Sequence, residues 1–168
     1  EGYSDRHRSF DILLTQISRR FAEPTVVETG VIRAEEDWGG AGFFTYWMGA
    51  FLSRRGGRLF SVDTDAANCS FAREWTAVFG CVNVHNGDSV AFLDSFNESI
   101  DILYLDSLDT TQIGHQEHAL QEIEVAMPKL HDRSLVLIDD TPWTSGQWTG
   151  KGAKAVPWLL ERGWKIVY

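Results

Sequence analysis

The sequence predicts an α/β domain built around a mainly parallel β-sheet with crossover helices. Short apolar runs alternate along the chain with longer helix-like stretches, which is typical of parallel strands connected by helices. Most of these runs end at an acidic residue or a glycine, where a strand would give way to a loop. With 168 residues the chain has the length of one domain, and we predict a single domain over residues 1–168.

Six runs are predicted strands because they are short, rich in β-branched or aromatic residues, and bounded by turn residues. The first begins after Pro24 and ends at Gly30, and the last contains the alternating sequence WKIVY. The predicted strands are 25–30, 58–63, 82–88, 100–106, 134–140 and 164–168. Helices are predicted before the first strand and between the others, at 9–21, 43–54, 66–79, 89–96, 116–130 and 151–162.

Acidic residues collect at the predicted carboxyl ends of the strands. In an open α/β sheet, ligands bind in the crevice outside these ends. Carboxylates brought together repel one another unless a ligand or a cation compensates them. The pattern therefore predicts a binding crevice, with acidic residues Glu28, Asp63, Asp88, Asp106, Asp139 and Asp140 near it.

Composition and charge restrict the class of partner. The chain has 43% hydrophobic and 23% charged residues, as in globular proteins, and a formal net charge of −9 at pH 7. This charge repels nucleic acid and anionic membrane surfaces, so we predict neither as a partner. Cys69 and Cys81 have no CxxC spacing and the N-terminal residues have no apolar run, so we predict a soluble, cytoplasmic protein with free thiols.

The turn after the first strand is a candidate ligand contact. Gly30 ends the strand, and the glycine-rich residues 39–42 precede an apolar helix. Glycines at such a turn allow the backbone to approach a ligand closely, near the N-terminus of the next helix. The spacing is not the GxGxxG of dinucleotide-binding proteins, and the alternative is that the glycines serve only the turn.

Two further strand ends carry acidic residues suited to a nucleoside. Asp63 at the end of the second strand has the acceptor oxygens to bind both hydroxyls of a ribose. Asp88 after the third strand could accept a hydrogen bond from an exocyclic amine such as that of adenine. For both positions helix capping remains the alternative, and Asp65 is equally placed to cap the helix after the second strand.

Asp106, Asp139 and Asp140 would lie at the ends of two neighbouring strands. Oxygen ligands of this kind are preferred by Mg²⁺, which usually retains water molecules that a substrate can displace. Asp109 could join this group or replace one member. The alternative is that the aspartates cap a helix or accept hydrogen bonds from backbone amides.

Histidines and tryptophans near these ends offer further chemistry. His118, and less directly His115, could take a proton from a substrate hydroxyl near neutral pH, or could be solvated or helix-capping residues. Trp143 and Trp148 could form a wall of a substrate pocket or pack over the core. Lys151, between two glycines at a predicted helix start, has no role assigned from the sequence.

Five segments together resemble the class I S-adenosylmethionine-dependent methyltransferases, in particular a small group that includes macrolide sugar O-methyltransferases and cephalosporin-hydroxylase-like proteins. They follow the order of the family along nearly the whole chain. The segments are VVETGVIR (Val26 to Arg33), SVDTD (Ser61 to Asp65), NGDS (Asn86 to Ser89), ILYLDSLD (Ile102 to Asp109) and LVLIDDT (Leu135 to Thr141).

The resemblance implies a Rossmann-like, doubly wound, mainly parallel sheet with helices on both faces, and S-adenosylmethionine as cofactor. It implies that Glu28 and Gly30 line the methionine side of the cofactor, that Asp63 holds the ribose, and that Asp88 with Ser89 lies near the adenine. The activity implied is methyl transfer to an oxygen of a small molecule.

In metal-dependent members of the family, the carboxylates that match Asp106, Asp139 and Asp140 bind Mg²⁺, which orients and acidifies the substrate hydroxyl. The resemblance therefore implies Mg²⁺ as a second cofactor. Asp106 and His118 are the candidate catalytic residues, with His118 as the base.

The chain departs from the family pattern at two places. Ile32 stands where a second glycine is usual, and the chain stops at Tyr168 after the first strand of what is normally a C-terminal antiparallel hairpin. A missing last strand would leave a sheet edge unpaired, which would favour a homo-oligomer. Two alternative functions remain open: a non-catalytic nucleoside-binding or assembly module with the same fold, and an NAD-dependent oxidoreductase.

Overall fold

The structure is a computed structural model that describes residues 3–39 and 43–167. At its centre lies a parallel β-sheet of five strands with the order β3-β2-β1-β4-β5. The strands are β1 (Thr25–Thr29), β2 (Arg58–Asp63), β3 (Val82–Asn86), β4 (Ile100–Leu105) and β5 (Leu130–Ile138). The predicted α/β fold with a mainly parallel sheet is confirmed.

Helices precede the sheet and connect its strands. Every helix predicted from the sequence is present, and the largest difference is at the first, which begins at Tyr3 and not at residue 9. The helices are α1 (Tyr3–Arg20), α2 (Phe44–Arg55), α3 (Ala66–Thr76), α4 (Ser89–Ser95), α5 (His115–Ala126) and α6 (Gly152–Glu161), with short 3₁₀ helices at Glu35–Gly39 and Met127–Lys129.

The helices cover both faces of the sheet because the buried strands present apolar side chains on both sides. Val26 of β1 packs with residues of α1 and α2, whereas its neighbour Val27 packs with residues of α4, α5 and α6. Successive side chains of a strand point to opposite faces, so a doubly wound sheet needs apolar residues at consecutive positions. All five residues of β1 are buried.

The order of the strands reverses beside β1. The chain moves outward from β1 to β2 and β3, then returns to add β4 and β5 on the other side. Crossovers on the two sides of this point lie on opposite faces of the sheet and leave a crevice at the carboxyl ends of β1 and β4. The candidate residues at the ends of β1, β2 and β4 lie along this edge.

The C-terminal segment corrects one prediction. Residues 164–167 form no strand, and residue 168 lies outside the described part of the chain. The alternating pattern of this segment is typical of a strand, but a strand also needs a hydrogen-bonded partner. Within the described residues no strand pairs with the outer edge of β5, so the pattern alone does not produce a sixth strand.

A small hairpin is present that the sequence analysis did not predict. Strands β6 (Trp143–Thr144) and β7 (Gln147–Trp148) pair antiparallel, with Ser145 and Gly146 in the turn at positive φ. The rings of Trp143 and Trp148 pack edge to face, with their centroids 4.8 Å apart. In the described residues, no helix combines the length and the apolar character needed to cross a bilayer.

Candidate active site

The turn after β1 lies at the point where the strand order reverses. The amide of Gly30 donates to the carbonyl of Val62 in β2 at 2.8 Å, and the amide of Asp106 donates to the carbonyl of Thr29 at 2.9 Å. Gly30 has a φ of +83°, and a Cβ at this position would overlap the main chain of Asp106. The close passage of β1 past the end of β4 therefore requires glycine. Of the glycines predicted to approach a ligand, Gly40 and Gly42 lie outside the described residues.

The carboxyl group of Glu28 lies inside the protein. The side chain is 2% exposed, and its two oxygens accept hydrogen bonds from Thr45 Oγ1 (3.0 Å) and Ser61 Oγ (2.5 Å). Thr45 Oγ1 also accepts from the amide of Ile32 at 3.1 Å, so Glu28 anchors the segment that follows β1. Burial raises the pKa of Glu28 to about 8. A contact between Glu28 and a cofactor stays a prediction.

Two aspartates follow each other at the end of β2 and take different roles. Asp65 is the N-cap of α3, because its Oδ1 accepts from the amides of Ala67 (2.7 Å) and Asn68 (3.3 Å). Asp63 Oδ1 accepts from the amide of Asp65 at 2.7 Å. The capping role that the sequence left open between them therefore belongs to Asp65, and Asp63 is the candidate for a ribose.

The loop after β3 brings Asp88 and Ser89 to the start of α4. Asp88 is exposed and caps this helix, with its Oδ1 accepting from the amide of Ala91 at 2.8 Å. The capping alternative is thus realised, while a second carboxylate oxygen remains for other contacts. Ser89 is 5% exposed, and its hydroxyl lies 3.2 Å from Nε2 of His118.

His118 is part of a polar cluster that connects three elements. Its Nε2 lies 3.2 Å from Oε1 of Glu122, one turn further along α5, and the same oxygen accepts from Ser107 Oγ at 2.8 Å. Glu122 is 1% exposed, and its Oε2 has no hydrogen-bond partner among the described residues. The hydrogen bond to Glu122 raises the pKa of His118 above its ordinary value, with partial burial acting in the opposite direction.

Asp106, Asp139 and Asp140 come together at the ends of β4 and β5, as the sequence predicted. One oxygen of each carboxylate lies within 4.8 Å of those of the other two. The structure adds Lys151, which is 4% exposed and forms an ion pair with Asp106 Oδ1 and another with Asp140 Oδ2 at 3.5 Å. The site is therefore a cluster of three carboxylates with one ammonium group.

Tyr104 of β4 connects two of these carboxylates. Its hydroxyl donates to Asp139 Oδ2 at 2.9 Å and lies 3.4 Å from Asp106 Oδ2. Burial, and then the neighbouring Asp139, raise the pKa of Asp106 to about 7, although Lys151 acts in the opposite direction. Burial alone would lower the pKa of Lys151, but Asp106 and Asp140 raise it above its ordinary value, so Lys151 is an ammonium ion.

Two other candidates, Asp109 and His115, are not part of this cluster. Asp109 Oδ1 accepts from the amide (2.8 Å) and the hydroxyl (2.7 Å) of Thr111, so its carboxylate belongs to a local turn. His115 Nδ1 lies 2.8 Å from the carbonyl of Gln112, at the start of α5. Neither joins the three grouped carboxylates among the described residues.

A groove of about 730 Å³ lies elsewhere, along the outer edge of β5. It is lined by residues of α1, β5 and α6, by Trp148 and by residues 163–167. Gly30, Asp63 and Asp106 are not among the described residues that line it. The groove is thus separate from the turn of Gly30 and from the ribose candidate Asp63, which lie at the carboxyl ends of β1 and β2.

Comparisons with known proteins show the protein family to which the chain belongs. The sequence matches the model of a family described as "Methyltransferase domain" over residues 38–141, more than half of the chain. The chain belongs to this methyltransferase domain family, which confirms its resemblance to the class I S-adenosylmethionine-dependent methyltransferases. No curated protein matches the chain.

Solved structures with the same fold include an S-adenosylmethionine-dependent methyltransferase from Thiobacillus denitrificans in complex with S-adenosyl-L-homocysteine. Its identity is 15% and its TM-score 0.54, with 79% of this chain and 48% of that chain covered. An rRNA methylase from Streptococcus thermophilus has 15% identity and a TM-score of 0.58, with 95% and 79% covered. The N-methyltransferase NodS from Bradyrhizobium japonicum, in complex with S-adenosyl-L-homocysteine, has 19% identity and a TM-score of 0.52, with 76% and 57% covered.

At these identities the likeness establishes the fold, and the substrates named belong to those proteins. This chain spans about half the length of the Thiobacillus enzyme. The exclusion of nucleic acid as a partner, predicted from net charge, gains no support here, since one neighbour is an rRNA methylase.

Two functional candidates emerge only from the structure: Lys151, which had no role assigned from the sequence, and Glu122, which was not singled out. For Lys151 a signal was present, because a lysine between two glycines after the DDT segment is well placed to approach the carboxyl ends. Glu122 lies four residues after His118, a spacing that brings both side chains to one face of a helix. Their other partners, Asp106 and Ser107, are distant in sequence.

Proposed function

We propose that residues 1–168 form a single, catalytic S-adenosylmethionine-binding domain that transfers a methyl group to an oxygen of a small molecule. The observation that carries this proposal is the glycine turn at the reversal of the strand order, in a chain of the methyltransferase domain family. The ribose candidate Asp63 lies at the end of β2. His118 of α5 lies in a polar cluster with Ser89 and Glu122.

Five residues would hold the cofactor. Gly30 would allow the methionine part to approach the backbone, above the buried carboxyl of Glu28, and Asp63 would accept hydrogen bonds from the ribose hydroxyls. Asp88 and Ser89, at the start of α4, would lie beside the adenine. The bound cofactor supplies a sulfonium methyl group: a C–O bond to the substrate forms as the C–S bond breaks, and the hydroxyl proton passes to a base.

His118 is the base in this proposal. The Glu122 carboxylate accepts a hydrogen bond from Nε2 and so holds a proton on that nitrogen, which leaves Nδ1 of the neutral ring to receive the substrate proton. Burial of Glu122 keeps this carboxylate in place. Asp106 is the second catalytic candidate, because it lies at the end of β4 beside the turn of Gly30.

A small molecule is the favoured acceptor because the net charge of −9 repels a polyanion. The proposal does not extend to the narrower group of macrolide sugar O-methyltransferases, since acceptor specificity depends on loops and added segments.

The proposed reaction does not use Mg²⁺, the metal ion that the family resemblance implies. The carboxylates of Asp106, Asp139 and Asp140 have the oxygen chemistry that Mg²⁺ prefers. The ammonium of Lys151 nevertheless already lies among them, so the residues present do not fit a divalent ion as they stand.

A methyl-transfer assay tests the proposal. The chain is incubated with methyl-labelled S-adenosylmethionine and a panel of sugars, phenols and hydroxy acids, with RNA as a separate arm. We expect label on a small molecule and a loss of kcat of about 10²-fold or more in His118→Asn. His115→Asn, a histidine from the same helix that lies against Gln112, is the matched control and should retain the rate.

Four results would contradict parts of the proposal. Label on RNA alone would overturn the substrate class. Binding of S-adenosylmethionine without any transfer would favour the non-catalytic module, and binding of NAD in its place would favour the oxidoreductase. An unchanged kcat in His118→Asn would remove His118 as the base.

A further inference from the structure

The position of Lys151 is unusual for a lysine. Its side chain is 5% exposed, although lysine is seldom buried without a partner, and its ammonium contacts two of the three grouped carboxylates. A buried charge is retained only where opposite charges compensate it. The carboxylates of Asp106 and Asp140 supply that compensation.

The backbone on either side of Lys151 is packed onto the end of β5. The amide of Lys151 donates to the carbonyl of Asp140 at 3.2 Å, and the amide of Gly152 donates to Thr141 Oγ1 at 2.9 Å. Gly150 has a φ of +66°, and a Cβ there would overlap the carbonyl oxygen of Asp140. The backbone around Lys151 is therefore fixed against the segment that carries Asp139 and Asp140.

At least one oxygen of each carboxylate in this cluster already has a protein partner. Asp106 Oδ1 accepts from Lys151, and Asp139 Oδ2 accepts from the buried hydroxyl of Tyr104. Asp140 Oδ2 lies 3.5 Å from the ammonium. A divalent ion would compete with these donors and lie beside a fixed positive charge, and both effects oppose its binding.

We propose that the ammonium of Lys151 is the resident cation of the site formed by Asp106, Asp139 and Asp140, in place of a divalent metal ion. The inference concerns the site of the proposed methyl transfer, and it makes that reaction independent of Mg²⁺. The test measures metal binding directly, so its result does not depend on the result of the methyl-transfer assay.

The test uses Mn²⁺ as a spectroscopic probe. The protein is first treated with a chelator, and the chelator is then removed. Binding is followed by electron paramagnetic resonance and by calorimetry. We expect no saturable binding in the unaltered chain. Lys151→Met, which removes the competing charge, should bind saturably and at least about tenfold more tightly than the detection limit set for the unaltered chain. The double variant Lys151→Met with Asp139→Asn should lose this binding.

Lys154→Met is the matched control. Lys154 lies on the same helix and pairs with Glu117 at the surface, so its removal changes the net charge equally but leaves the cluster intact. It should bind Mn²⁺ no better than the unaltered chain. If Lys151→Met is unstable because three carboxylates lose their partner, its melting temperature should rise on addition of Mn²⁺, whereas that of the unaltered chain should not.

Saturable, one-to-one Mn²⁺ binding by the unaltered chain that Asp139→Asn abolishes would overturn the proposal. Equal affinities in Lys151→Met and Lys154→Met would also overturn it. A chain that excludes Mn²⁺ but does not bind S-adenosylmethionine would contradict the proposed function and leave the role of Lys151 supported.

Discussion

Glu28 shows how a single buried residue links the stability of the domain to pH. Its pKa rises from an ordinary value of 4.5 to about 8, chiefly because the carboxyl group is removed from water. The folded state therefore favours the protonated form. The stability that this preference contributes is fully present below about pH 4.5, declines as the pH rises, and is lost above about pH 8.

Glu28→Gln should remove this dependence, because an amide has a similar shape and does not ionise. Relative to the unaltered chain, the variant should gain about 1.4 kcal/mol of unfolding free energy for each pH unit between the two pKa values. Urea denaturation at several pH values in this window measures the difference. Glu98→Gln, which removes a surface carboxylate paired with Arg58, is the control. Parallel stability curves for Glu28→Gln and the unaltered chain would contradict the buried-carboxyl account.

Individual residues differ in how far the sequence predicts them. The capping roles of Asp65 and Asp88 were recognisable because a cap contacts amides two or three residues away. The pair of Lys151 and Asp106 joins residues far apart in the sequence, and so does the contact between Ser89 and His118. Such pairs depend on how strands and helices are assembled, which a local pattern does not contain.

At the level of elements, periodicity predicted the five strands of the sheet and the helices between them. Buried parallel strands are recognised as short runs rich in apolar and β-branched residues, and β1 (TVVET) and β4 (IDILYL) are such runs. The strand predicted at 164–168 is absent from the described residues 164–167, where the alternating pattern occurs without a pairing partner. The hairpin of β6 and β7 was not predicted, because its strands have only two residues each.

The connection into α6 should be sensitive to substitution at Gly150. A side chain there meets both an unfavourable positive φ and the carbonyl of Asp140, whereas Gly146 has a φ of +82° and open space around it. Gly146→Ala should therefore cost only backbone strain, about 1–2 kcal/mol, and Gly150→Ala more. Thermal melting compares the two variants. Equal losses would show that α6 does not need its close contact with the end of β5.

For the whole molecule, the parallel order β3-β2-β1-β4-β5 determines where the site lies. The sequence predicted the edge of the sheet that carries the candidate residues, because strand ends can be read along the chain. Apart from the neighbouring strands that carry Asp106 and the pair Asp139 and Asp140, it did not predict which strands lie side by side. That β4 lies beside β1, and brings Asp106 next to Gly30, follows from the topology alone.

The net charge of −9 leads to a prediction about nucleic acid. We expect labelled single-stranded or hairpin RNA to show no saturable binding to the chain, because counterion release cannot favour association with an acidic surface. Fluorescence anisotropy at about 0.15 M salt measures this. Saturable binding that weakens steeply with added salt would show that the protein has a local basic surface despite its negative net charge. That result would favour RNA as the methyl acceptor.

The central claim is that S-adenosylmethionine binds in the crevice at the carboxyl ends of the parallel strands. Calorimetric titration tests this claim most directly. The unaltered chain should bind S-adenosylmethionine and not NAD. Asp63→Asn should weaken that binding by on the order of tenfold or more, because a carboxylate accepts from both ribose hydroxyls. Asp65→Asn removes the same charge two residues away and keeps the helix cap, so it should bind as the unaltered chain does. Failure of the folded, unaltered chain to bind S-adenosylmethionine would contradict the account.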